Sequence, residues 1–449
     1  MNGDRMQASI TERLPAVRAA SSDGLRSALN HVAYTILGAF VFVIPWDESV
    51  PLLGGFLLGR WLGFLAFGFT ALWIGLTGRV RRTSGIHYAL AGLAGWSALS
   101  LLWTADWDST ITRAGTYLQL LTAVWLIWEL ATTESRVLGL LRCYVLGTYI
   151  SSISTIVNFI QGRTAAQLAG AKGYTVWEDP RYTINGVNEN DLGVMLALSI
   201  PMTFYLAARR KRLLTRCLCW FHLGAVATAV LLTGSRGALF AASIAVLFAV
   251  LGLPPGRLAL KFTGLIVVAS GTLFIPQATW DRLLSAGTEL SGGTLTHRTV
   301  IWAAGLDAVR NHAFLGVGAG AYGLTVLKAV DIPYVAHNTF LSIFVELGVV
   351  GALLLGWLLA AAFLCAILLP SLERCLWIAL LLTWSTGVSS LTWEYRKPTW
   401  FLFGMLAAHV YARRSQISMH WRQTADIPFH NICPAPKAKE LTGVPIGTV

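Results

Sequence analysis

Charge is scarce in this chain: Asp, Glu, Lys and Arg make up 12% of 449 residues. Such a sequence has too few charged groups to clothe a water-soluble surface of this length. The first 27 residues are polar and mixed, and they lack the charged start, apolar stretch and cleavage site of a signal peptide. Ten-residue blocks of alternating polarity are missing, which excludes a membrane β-barrel. The six cysteines form no CxxC pair; five lie in or beside apolar runs and Cys433 is in the tail, so neither disulfides nor zinc are expected. No internal repeat of the kind transporters show is visible.

What is abundant is hydrocarbon. Hydrophobic residues are 55% of the chain, mean hydropathy is +0.61, and there are 18 tryptophans. A spanning helix needs about 20 mostly apolar residues. Runs of that kind are expected at roughly 28–44, 54–77, 86–103, 114–131, 137–160, 190–208, 217–233, 237–253, 259–275, 338–369, 375–391 and 400–412. The expected fold is therefore all-α and polytopic, with about 12 transmembrane helices. A large helical extracytoplasmic segment (276–337) precedes the tenth span. Residues 1–27 form a cytoplasmic N-terminal segment, 28–413 the transmembrane domain, and 414–449 a flexible cytoplasmic tail carrying Pro428, Pro434, Pro436 and Pro445.

Lys/Arg bias orients the bundle. Arg79, Arg81 and Arg82 follow the second run, and Arg209, Arg210, Lys211, Arg212 and Arg216 follow the sixth. Arg257 and Lys261 surround the turn after the eighth, and Arg413 and Arg414 follow the last. An even number of spans places both termini in the cytoplasm. The net charge of +12 is thereby mostly cytoplasmic, facing anionic lipid, and nucleic-acid binding is not indicated. Positive charge on the outer side runs against the insertion bias and calls for another use. It comprises Arg163, Lys172, Arg181, Arg282, Arg298, Arg310 and Lys328, with Arg396 and Lys397 in a later outer turn.

His337 and Asn338 close the outer segment at the edge of the tenth run. Projected at 100° per residue, His337 shares a helical face with Leu341, Phe344, Gly348 and Gly351. The two glycines would admit a neighbouring helix closely. Glu346 lies half a turn away and about 13 Å deeper, so it must pair with another span. Thr233, Gly234, Ser235, Arg236 and Gly237 form a whole outer turn, where a guanidinium beside a helix start suits an anion. An interfacial histidine bonded to a loop carbonyl, and an arginine snorkelling to lipid headgroups, are the plain alternatives at these two places. Arg181 precedes Asn185, Gly186, Asn188, Asn190 and Asp191, where Asn190 or Asp191 suits a helix N-cap. Gly316, Gly318 and Gly320 have no strand before them and lie outside, against a nucleotide site. Asp106-Trp107-Asp108 reads as a solvated turn sooner than a metal site.

Together these stretches resemble the O-antigen ligase family, within the O-antigen ligases and polymerases. His337-Asn338, nine residues, then Gly348-x-x-Gly351 matches best, followed by the turn around Arg236. Arg181 through Asn190 is similar, with Glu189 where proline is usual. Arg298 with Trp302 through Gly320 is similar too, with His297 and Ala313 replacing a common glycine and proline. Trp96 through Asp106 shares the family's Trp/Ser-rich look. The resemblance implies transfer of O-antigen polysaccharide from undecaprenyl diphosphate to lipid A–core, at the periplasmic face of the inner membrane. It would need no cofactor or metal, only charge for the leaving group. It makes His337 the base and Arg236 the diphosphate clamp, aided by Arg181, Arg163, Arg298, Asn338 and Asn190. An O-antigen polymerase, a protein O-oligosaccharyltransferase and a transporter or flippase of lipid-linked glycan are the alternatives.

Overall fold

The computed structural model describes residues 3–50, 57–170, 181–209, 212–252, 258–285, 298–310, 312–331 and 333–425. Lys172, Arg210, Lys211, Arg257, His297 and the tail beyond 425 lie outside them. Sixteen α-helices appear among the described residues. They are α1 (Gly3–Val43), α2 (Leu58–Thr77), α3 (Gly85–Leu99), α4 (Trp107–Leu130), α5 (Glu134–Ile160) and the single turn α6 (Ala165–Leu168). Next come α7 (Glu189–Arg209), α8 (Leu213–Leu232), α9 (Arg236–Leu251), α10 (Leu258–Ser270) and α11 (Gln277–Leu284). The last five are α12 (Arg298–Val309), α13 (Tyr322–Val330), α14 (Thr339–Ile367), α15 (Ser371–Val388) and α16 (Lys397–Ala425). No β-strand occurs among the described residues.

Each of the twelve apolar runs falls on a helix. Six helices are long and apolar enough to cross a membrane: α2, α3 with its following turn, α5, α7, α8 and α14. Three boundaries differ from expectation. α1 continues unbroken from Gly3, α16 runs on to Ala425, and α4 starts at Trp107 because Asp106 caps it, accepting from Ser109 N–H at 3.0 Å. That cap also gives the Asp106 carboxylate an ordinary structural role.

α7 is the axis of the bundle, its whole apolar window enclosed by protein. Small residues allow this: Gly193 rests against Ala238 of α9, and Gly387 of α15 against Val194. At its far end, Arg209 and Arg413 pair with Glu134 and Glu373, joining α5, α7, α15 and α16. Buried carboxylates in such a setting need partners, and these have them. Glu134, Glu373 and His409 are close enough for a metal ion, but the arginines already occupy both carboxylates. With 21 residues, α7 spans about 30 Å, so its N-terminus presents Asn190 and Asp191 at the opposite end.

α14 is not one straight helix. Gly348 takes φ 66°, ψ −162°, a conformation essentially reserved for glycine, and the helix breaks there. The glycines therefore do not serve as a flat seat for a neighbouring helix, as the projection implied. A Cβ on Gly351 would meet Leu347 of its own helix. The break frees three carbonyls, and each finds a donor: Val317 N–H bonds Val345 O, Gly318 N–H bonds Glu346 O, and Trp96 Nε1 bonds Leu347 O, all at 2.9–3.0 Å. Val349 N–H donates to Ala313 O at 2.9 Å. The Gly316-x-Gly318-x-Gly320 string is thus the strap that satisfies a broken helix, where unpaired backbone would be costly. Glu346 adds to it, accepting from Gly320 N–H at 2.7 Å and facing Arg113 of α4 at 4.0 Å. It does pair across to another helix.

Candidate active site

The end of the bundle bearing the α7 N-terminus gathers cations around one imidazole. α7 is capped by Asn188, whose side-chain oxygen accepts from Asn190 N–H at 2.9 Å while its carbonyl accepts from Leu192 N–H. The cap is therefore two residues before Asn190 and three before Asp191, which leaves both of those side chains to other partners. Asn190 Oδ1 accepts from Arg181 Nη2 at 2.8 Å. Asp191 Oδ1 accepts from Trp393 Nε1 at 2.7 Å, and its Oδ2 pairs with Arg396 Nη2 at 2.9 Å.

The α8–α9 turn supplies the second wall. Ser235 caps α9, and Gly234 turns the chain with φ 58°. Arg181 Nε reaches Thr233 O at 3.2 Å and Arg282 Nε reaches Gly234 O at 3.2 Å, so two arginines flank the turn. Arg236, the first residue of α9, donates from Nε to Arg282 O at 3.1 Å and from Nη2 to Ser285 Oγ at 2.8 Å. Those bonds aim the guanidinium and, among the described residues, use two of its five N–H groups.

α12 opens with Arg298 close to Arg236. Burial, then the neighbouring Arg236 charge, push the Arg298 guanidinium below its ordinary pKa. Among the described residues, neither Arg236 nor Arg298 has an acidic partner, whereas Arg181 pairs with Glu189 and Arg396 with Glu48 and Asp191. Two adjacent arginines with no acidic partner among the described residues suit an anion.

His337 stands between these walls with φ 47°, a left-handed backbone uncommon for a residue with a Cβ. Two contacts hold it there. Trp302 Nε1 donates to Ala336 O at 2.7 Å, and Asn338 caps α14 by accepting from Leu341 N–H at 3.0 Å. The half-buried imidazole has no hydrogen bond to another described residue. Burial first and Arg298 second lower its pKa, while the Asp191 carboxylate raises it, with a net shift downward. The downward shift favours the neutral ring, which keeps a lone pair for a proton.

Residues 221–356 match the O-antigen ligase family. The matched stretch runs from within α8 to within α14. No curated protein matches the chain. The ligase stretch contains Arg236, Arg298, His337 and Gly348. Arg181, Asn190, Asp191 and Arg396 lie outside it in sequence, and the fold brings them to the same place.

The site residues named from sequence meet different fates. His337, Arg236 and Arg298 converge, and Arg181 with Asn190 forms a supporting pair. Asn338 spends its side-chain oxygen on the helix start. Arg163 is exposed beside Gln161 and makes no described contact with the cluster. Asp191, Arg282, Arg396 and Trp302 carry the geometry without having been named as site residues. Positive charge on the outer side was the available signal for Arg282 and Arg396; Asp191 was marked only as a candidate helix cap, and Trp302 only as part of the stretch opened by Arg298.

Proposed function

We propose that this protein transfers O-antigen polysaccharide from undecaprenyl diphosphate to lipid A–core at the periplasmic face of the inner membrane. In this reading the twelve helices cross the bilayer with both termini cytoplasmic. Ligase- or polymerase-type glycosyl transfer follows from the family; the donor, acceptor and roles below are the proposal. The observation that carries it is the imidazole of His337, without a hydrogen bond to another described residue, beside Arg298, which in turn neighbours Arg236; neither arginine has an acidic partner among the described residues.

The donor is already activated. The acceptor hydroxyl oxygen forms its bond to the anomeric carbon as the bond from that carbon to the diphosphate oxygen breaks. The hydroxyl proton goes to His337, and the electron pair leaves with the diphosphate. A neutral histidine suits such a base, typically contributing about 10²–10⁴-fold. Arg236 and Arg298 bind the charge that develops on the leaving group, and Arg181 and Asn190 support the turn that carries Arg236. Losing one such contact typically costs about 10²–10³-fold. A single displacement inverts the anomeric configuration. Charge stabilisation by arginine makes the transfer metal-independent, so a divalent chelator should leave it intact.

The test is to express His337→Ala and Arg298→Ala proteins at matched levels and separate lipopolysaccharide on gels. Full glycan ladders from His337→Ala would rule out the base assignment. Purified protein offered lipid A–core as its only acceptor separates a ligase from a polymerase, which would instead extend a lipid-linked chain.

A further inference from the structure

One cavity lies away from the arginine pair. It is a groove of about 530 Å³ between α1, α2 and α4. Phe64, Phe67 and Leu118 line it and are also exposed on the outside of the bundle, so it opens sideways, into hydrocarbon when the bundle sits in a membrane. One end is polar, and there three acids (Asp47, Glu48, Asp191) meet three bases (Arg60, Arg396, Lys397). Most of these charges are paired: Lys397 with Asp47, and Arg396 with Glu48 at 2.5 Å and Asp191 at 2.9 Å.

We infer that this groove seats one acyl chain of a lipid-anchored acceptor and delivers its head group to His337. The inference rests on the two-lipid transfer proposed above. Charge sorts the two lipids. A diphosphate requires cations that are not already neutralised, and Arg236 and Arg298 provide them. The groove mouth has balanced charge, and its paired groups offer donors and acceptors together, which suits sugar hydroxyls. Asp191 belongs to both places, bordering the groove and acting on His337. A head group held at the mouth therefore meets the imidazole from the α1–α2 side, away from the turn that carries Arg236. The volume falls in the ~300–1,000 Å³ range of single-ligand pockets, enough for one chain and not for several.

Gly63 provides the test. It lines the groove, and a Cβ there would meet only the Phe40 ring, at 3.9 Å. Gly63→Leu should fill the groove without disturbing α2, since leucine is a better helix former than glycine. Full-length protein in nanodiscs would be irradiated with lipid A–core carrying a diazirine on one acyl chain. Parallel samples would receive undecaprenyl diphosphate with a diazirine on its chain, and a diazirine phospholipid. The acyl probe should label α2 and α4. Displacing about two methylenes corresponds to roughly tenfold in affinity, so Gly63→Leu should cut that labelling and raise the acceptor KM by such a factor. Donor KM and kcat should hold. Labelling of the groove by the undecaprenyl probe, equal labelling by the phospholipid, or acyl labelling untouched by Gly63→Leu would each overturn the acceptor seat. Labelling needs no turnover, so the two proposals fail separately. Transfer without groove labelling overturns only the seat, and groove labelling without transfer overturns only the reaction.

Discussion

Trp302 Nε1 donates a 2.7 Å hydrogen bond to the carbonyl oxygen of Ala336, the residue that leads into His337. Arg298 lies one helical turn before Trp302, on the same face of α12. One short helix thus positions both a cation that acts on the imidazole and the backbone that carries the imidazole. Trp302→Phe keeps the ring and removes the N–H. It should lower kcat roughly ten- to a hundredfold, as for a base displaced by about an ångström, with donor KM less affected. Steady-state kinetics on purified protein checks this.

The pH profile carries a signed prediction. The base acts only when neutral, and burial with Arg298 holds its pKa below the ordinary histidine value of about 6.5. The acid limb of kcat/KM should therefore lie below that value. Arg298→Gln removes a cation that opposes protonation and should move the limb up. Asp191→Asn removes a carboxylate that favours protonation and should move it down. Shifts in one common direction would mean that His337 is not the titrating group.

Arg236→Lys keeps a charge but loses the planar fork that binds both Arg282 O and Ser285 Oγ. Transfer should fall about 10²-fold, and raising the donor concentration should not restore kcat. Gel quantification of capped lipopolysaccharide, followed by kinetics, measures it.

The helix break has its own test. In Gly348→Ala the new Cβ would clash with Phe314 O, at a positive φ. The backbone strain alone is roughly 1–3 kcal/mol, so the melting temperature in detergent should drop clearly. Gly356→Ala, in the same helix with open space around it, should hold or gain stability.

Much of this was legible along the chain, because crossing a bilayer is a local demand: about 20 apolar residues in a row satisfy it whatever the rest of the fold does. The twelve apolar runs therefore fell on helices, and Glu346 was assigned a partner on another span from its helical position, its depth and the cost of burial. His337, Arg236 and Arg298 stood out because polar groups beside long apolar runs are few. Tertiary structure alone decided the rest. The role of Gly348 depended on a strap some thirty residues earlier that could accept a broken helix, and periodicity assumes the helix is whole. Arg163 looked equivalent to Arg298 by charge and side, yet only Arg298 sits on a helix that also touches Ala336. Asp191 is one carboxylate after a helix start until Trp393 and Arg396 fold against it from 202 and 205 residues away. Local hydrophobicity sets which segments are helices; which charges stay unpaired depends on what packs beside them.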